Sequence, residues 1–299
     1  MTRRDEISSE TIWERVRPMA MMISFVVAVQ ILSLALMPPL SKTEVRIFEN
    51  PEAVANPFSY IFLVLGFTLF ILMAMKLKKG WVVSGVILLA MAMGVYYVLS
   101  AFLPPLPAVL LSLATLALLH LYPEWYVIDL VGLLVCAGVG TLFGLSMTPF
   151  PALLLLLVLA AYDAVSVYKT RHMVTLAEGV MEMRAPLLFV VPKKRDYSFR
   201  REGLGSGNDR GAYFLGLGDA IIPTVLVISA NWSYALPVIE AFGIGANLPA
   251  LGSMLGTYLG FAALSMTSRD RPQAGLPFLN GGAILGFLLA VLASGAAVF

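Results

Sequence analysis

The chain has 299 residues, 59% of them hydrophobic and 13% charged, with a mean hydropathy of +0.87. These values exclude a water-soluble domain and describe a polytopic membrane protein. A net charge of +2 argues against nucleic acid as a partner, and the one cysteine, Cys136, excludes an internal disulfide.

The first apolar run follows the charged stretch MTRRDEISSETIWERVRP and is not succeeded by a small-residue cleavage site, so it is expected to stay as a helix rather than act as a cleaved signal peptide. Crossing the hydrocarbon takes roughly 20 apolar residues in a helix. Windows of that kind fall near 19–37, 58–75, 81–102, 106–121, 126–146, 149–168, 211–230, 248–266 and 275–297, which predicts an all-α bundle of nine transmembrane helices. The fourth window is short and bounded by the prolines of FLPPLP. The fifth carries Asp129 near its start, beside Glu124 and Trp125, where it reads as a solvated interfacial carboxylate outside the functional site.

A long connection separates the sixth and seventh windows. It divides one integral membrane domain into a six-helix part (1–168), a cytoplasmic loop (169–210) and a three-helix part (211–299). The charge and glycine content of KKRDYSFRREGLGSGNDRG predict a mobile loop. The short apolar run APLLFVVP suits a strand or an interfacial patch better than a helix. Further on, Gly252, Gly256 and Gly260 in GSMLGTYLG line one face of the eighth helix, and GTLFG does so on a smaller scale in the fifth; both read as packing devices.

Lysine and arginine favour cytoplasmic loops. With the N-terminus inside, all 20 of these residues except Lys42 and Arg46 fall on the inside, in the leader, at 76–79, between Lys169 and Arg210, and at Arg269 and Arg271. The expected orientation is N-terminus cytoplasmic and C-terminus outside. Lys169 and His172 then read as headgroup contacts, and lipid is the partner the composition implies.

Two carboxylates fall deep in the predicted spans, where an aspartate costs roughly 2.5 to 3.5 kcal/mol on insertion scales and so implies a function. Asp163, in AAYDAVSVYKT, lies ~9 Å from the cytoplasmic end of the sixth window, and Asp219, in YFLGLGDAIIPTV, lies ~12 Å from the same face. Two like charges at one level on consecutive antiparallel helices would share one proton near neutrality. In such a pair the ionised member takes a proton from water, the water attacks a peptide carbonyl, and the protonated member assists the carbonyl oxygen and the leaving amine. No metal or other cofactor is required. His120 and His172 lack metal-ligand spacing, and no phosphate-binding glycine loop is present.

Gly216 and Gly218 remove bulk beside Asp219 and permit local departures from helical geometry. A peptide bond in a helix must be unwound before hydrolysis, and an extended strand laid beside unpaired backbone is a common way to hold it. The bland reading, glycines for helix packing, stands beside that one.

Tyr162-Asp163, followed after the long loop by Gly216-Leu217-Gly218-Asp219, resembles the YD and GxGD motifs of the presenilin and signal peptide peptidase family of intramembrane aspartyl proteases. The nine-helix layout is similar over the whole chain, which resembles a compact archaeal presenilin homologue. The resemblance implies that Asp163 and Asp219 are the catalytic pair and that Tyr162 stands in the site. It also implies a Pro-Ala-Leu motif at the entrance of the ninth helix. A literal copy stands at Pro249, Ala250 and Leu251, on the outer end of the eighth helix. Pro277, Phe278 and Leu279, after the charged turn SRDRPQAG, have the expected location, with phenylalanine where the family has alanine. Proline there withholds a backbone donor and starts a helix well.

The expected activity is hydrolysis of peptide bonds in transmembrane segments of membrane proteins, in the plasma membrane of a prokaryote. Two alternatives use the same residues. Prepilin-type peptidases carry a GxGD aspartate, although AIIPTV follows it here instead of a lysine-containing continuation. A proton or cation transporter can use paired carboxylates, although no inverted repeat is detectable between the six-helix and three-helix parts.

Overall fold

The computed structural model describes residues 12–43, 45–77, 80–170, 187–193, 197–202, 211–267 and 274–297. Among these, nine helices have 17 residues or more: α1 (Ile12–Ser41), α2 (Ala55–Lys76), α3 (Gly80–Ser100), α4 (Pro105–Leu121), α5 (Trp125–Leu145), α6 (Pro149–Val165), α7 (Leu217–Ser233), α8 (Leu248–Thr267) and α9 (Leu276–Ser294). Seven, counting α6 with its π-helical continuation Ser166–Thr170, are long and apolar enough to cross a membrane; α4 and α7 are shorter apolar helices. The result is the polytopic helical membrane fold that the composition predicts. Proline opens α4, α6 and α9, where its fixed φ suits the first turn and its missing N–H costs nothing. Gly295, at φ 70°, closes α9 in the left-handed conformation that favours glycine.

The bundle is organised around α7. Its residues from Ile222 to Ala230 are buried on every side, and α1, α5, α6, α8 and α9 all pack against it. A helix apolar all round belongs in an interior. Its two buried hydroxyls are satisfied within the protein, Thr224 donating to the Ala220 carbonyl at 2.6 Å and Ser229 to the Met147 carbonyl at 2.7 Å. By contrast, α2, α3 and α4 present Phe62, Trp81 and Leu106 outward, as an apolar solvent requires.

The glycine faces pack as their spacing predicts. A Cβ on Gly252 would overlap the carbonyl oxygen of Gly286, one on Gly256 that of Gly282, and one on Gly260 that of Phe278. The backbones of α8 and α9 are therefore in contact along three turns. In GTLFG, Gly140 meets Thr224 and Gly144 meets Ile228, so α5 approaches α7 closely.

Two short antiparallel sheets complete the fold. β1 (Leu188–Pro192) pairs with β2 (Ala212–Gly216), Leu188 opposite Gly216 and Pro192 opposite Ala212; β3 (Val238–Ala241) pairs with β4 (Ile244–Asn247). APLLFVVP thus supplies a strand. The seventh predicted window needs correction, because its first five residues after Gly211 are the partner strand and the helix begins only at Leu217. Pairing with β1, distant in sequence, overrides the apolar run.

The loop expectation also needs correction where the structure describes it. Tyr197 and Phe199 are buried, and Ser198 donates to Glu124 Oε1 at 2.8 Å, so this part is packed against the start of α5. Residues 171–186, 194–196, 203–210 and 268–273, which include His172 and most of SRDRPQAG, lie outside the described residues.

Candidate active site

Asp163 lies two residues before the end of α6 and is 6% exposed. Its Oδ2 accepts the Leu276 amide at 3.1 Å, and the Gly275 amide also faces it. One turn beyond, in the π-helical segment, the Tyr168 hydroxyl accepts the Ala274 amide at 3.4 Å. Three successive amides at the entrance of α9 therefore meet side chains from the end of α6. A helix start leaves such amides without internal partners, and a carboxylate there is a natural acceptor.

Asp219 is the third residue of α7, inside its first turn. The Gly216 amide faces its carboxyl. Its oxygens lie 3.6 and 3.8 Å from the point where a Cβ on Gly275 would stand. Both carboxyls thus converge on the Gly275–Leu276 backbone. Gly275 and Leu276 were not legible as site residues, although a glycine directly before LPFLN was the available signal.

The two motif glycines differ. A Cβ on Gly216 would stand 3.1 Å from Asp219 Oδ2, whereas one on Gly218 would meet nothing within 4 Å. Among the described residues, Gly218 therefore packs against no helix and leaves space next to Asp219. Leu217 is buried, and its amide donates to the Leu187 carbonyl at 3.1 Å, continuing the β1–β2 ladder into the first turn of α7.

That bond and the one from the Lys193 amide to the Gly211 carbonyl, 2.9 Å, fix which residues face each other. In an antiparallel pair, hydrogen-bonded and non-bonded partners alternate. Residues 187, 189, 191 and 193 bond to 217, 215, 213 and 211, so the main-chain groups of Ala212, Phe214 and Gly216 point away from β1. Among the described residues nothing pairs with this outer edge of β2, which ends where the Gly216 amide turns to the Asp219 carboxyl.

The Tyr162 hydroxyl is buried without a hydrogen-bond partner among the described residues. Pro277 and Phe278 are half-buried in the first turn of α9 and Leu279 is fully buried. The Phe278 carbonyl lies where α8 provides Gly260. Pro249, Ala250 and Leu251 are at the far end of α7 from Asp219: Asn247, which caps the start of α8 through the Ala250 amide at 3.0 Å, donates to the Ala230 carbonyl at 2.9 Å. The structure thus brings Asp163, Asp219, Gly216 and the start of α9 together and leaves the literal Pro-Ala-Leu apart.

Asp129 is not solvated. It is 4% exposed, and its Oδ1 accepts the Val190 amide of β1 at 2.7 Å. Sequence position beside Glu124 and Trp125 misled, because the strand that covers it lies 61 residues away.

Fold and site together describe an integral membrane protein in which acidic groups meet between helices beside an open strand edge. The sequence matches the family described as "Signal-peptide peptidase, presenilin aspartyl protease" over residues 23–296, and the chain belongs to that family. It is an intramembrane aspartic endopeptidase, and its substrates are membrane proteins in a bilayer. Two solved structures of a presenilin family intramembrane aspartate protease are similar to it. One, in space group C222, is 34% identical with a TM-score of 0.63, covering 92% of this chain and 98% of that one. The other, in space group P2, is 33% identical with a TM-score of 0.63, covering 91% and 96%. No curated protein sequence matches the chain. The prepilin-peptidase and transporter alternatives are not favoured by these matches.

Proposed function

We propose that Asp163 and Asp219 are the catalytic pair of this protease. The observation that carries the reading is the convergence of both carboxyls on the Gly275–Leu276 backbone. The ionised carboxyl removes a proton from a water, whose oxygen bonds to the scissile carbonyl carbon. The protonated carboxyl donates to the carbonyl oxygen. As the tetrahedral intermediate collapses, the C–N bond breaks and the departing nitrogen takes a proton from the pair.

The substrate enters sideways from lipid, unwinds, and lays an extended segment along the free edge of β2. The outward main-chain groups of Phe214 supply its partners, and the space at Gly218 admits its backbone. Tyr162, Leu217, Pro277, Phe278 and Leu279 shape the surrounding wall. The charge asymmetry supports nine crossings with the N-terminus cytoplasmic, in a prokaryotic plasma membrane, and cleavage in the cytoplasmic half of the substrate helix.

Asp163→Ala and Asp219→Ala should each abolish cleavage of a transmembrane reporter in liposomes while the variants elute from size exclusion as the wild type does. A transition-state analogue of aspartyl proteases should block the wild type. Turnover near the wild-type level in either variant would rule the pair out.

A further inference from the structure

One face of α5 touches the strand pair and the first turn of α7 at three successive levels. Asp129 accepts the Val190 amide, and its second oxygen, Oδ2, is buried without a partner among the described residues. At the next level, Gly132 leaves room for the Phe189 ring and the Leu217 side chain, each 3.2 Å from where its Cβ would stand. Beyond it, the Cys136 thiol donates to the Leu217 carbonyl at 3.7 Å.

Asp129 is five residues past the helix-capping position Glu124, too deep to serve the end of its own helix. Packing alone is met by leucine or valine, and burying a carboxyl costs far more than burying either. What the acid supplies is an acceptor for one main-chain N–H. The register explains why that N–H needs one: Val190 points away from β2, so its amide has no ladder partner and would otherwise be buried unpaired. β1 is thereby held along one edge by α5 and carries β2 along the other.

We propose that Asp129 is a positioning residue for the protease, fixing β1 through the Val190 amide and so setting where the free edge of β2 presents an unwound substrate strand to Asp163 and Asp219. The inference rests on the reading of that edge as the docking strand. The carboxyl acts on the placement of the substrate and not on the bond-breaking step, so its loss separates KM from kcat.

The test uses the full chain in liposomes with a transmembrane reporter peptide, steady-state kinetics, and mass spectrometry of the cleavage positions. Asp129→Ala should raise KM about fivefold or more, as expected for an unpaired buried N–H. Cleavage should also spread to neighbouring bonds, with kcat within about twofold of wild type. Asp129→Asn retains an acceptor oxygen and should restore both KM and cleavage position. Val190→Pro removes the donor without breaking a β1–β2 bond and should reproduce Asp129→Ala. A role confined to stability would lower the active fraction, reducing kcat with KM and cleavage position unchanged, and that result overturns the proposal. Should Asp129→Ala fail to fold, Val190→Pro decides alone: unchanged KM and cleavage position overturn the inference. Phe214→Pro, which removes an outward amide of β2, separates the two readings. If it changes nothing, the docking edge itself is wrong; if it shifts KM and cleavage position while Asp129→Ala and Val190→Pro do not, only the role of Asp129 fails.

Discussion

The proposed docking of substrate gives Gly218 a role in access and not in packing. Nearby Gly216 is crowded by the Asp219 carboxyl, yet a side chain at 218 would meet none of the described residues within 4 Å. Gly218→Val should therefore fold normally, with Tm changed by no more than about 2 °C, since a surface substitution away from special features stays within roughly 0.5 kcal/mol. Cleavage by this variant should nevertheless fall at least tenfold, because the added methyls occupy the approach to Asp219; reporter cleavage and thermal unfolding on one sample check both expectations. The pair itself predicts a bell-shaped dependence of rate on pH, since one carboxyl must be ionised and the other protonated. Loss of either limb in an otherwise active enzyme would contradict shared acid and base roles.

At the scale of elements, α8 and α9 make the closest contact in the bundle, and the contact holds the site. Gly256 and Gly282 face each other backbone to backbone, and Gly260 faces the Phe278 carbonyl at the entrance of α9. Gly256→Ala should destabilise the protein by about 1–3 kcal/mol, the usual cost of overpacking. Gly281→Ala, in the same helix pair but with none of the described residues within 4 Å of its Cβ, should be neutral or stabilising by up to about 1 kcal/mol, because alanine is the better helix former. Thermal unfolding of the two variants in one detergent distinguishes a packed glycine face from a merely flexible one. The same contact explains why α9 can bring the Leu276 amide to Asp163: the helix is set against α8 by backbone, with no long side chain between.

At the scale of the molecule, the lysine and arginine distribution predicts an orientation that can be tested directly. Cys136 is the one cysteine in the sequence and is fully buried, so a membrane-impermeant maleimide has no native target to label in the folded protein. A cysteine placed at Ser9 should be labelled only from the cytoplasmic side, and one placed at Ala297 only from the outside. Labelling of both from one side would mean an even number of crossings and would separate the depth argument for the two acids from the topology.

Much of the fold was legible because hydropathy is local. Transfer of an apolar segment into lipid is summed over neighbouring residues, so eight of the nine windows became helices at nearly their expected places, and the seventh did so only from Leu217. The same local logic marked Asp163 and Asp219, since an acid in an apolar run is costly whatever surrounds it. It also marked the glycine faces, whose spacing is a property of one helix. The tertiary structure decided what depends on partners far along the chain. Residues 212–216 read as the beginning of a helix and became a strand because β1 offered an edge; Asp129 read as solvated and became a buried acceptor because Val190 lies over it. The entrance of α9 meets Asp163 across 113 residues. Hydrogen bonds of that kind are set by which backbone groups the packed helices leave unpaired, and no window of sequence contains both donor and acceptor.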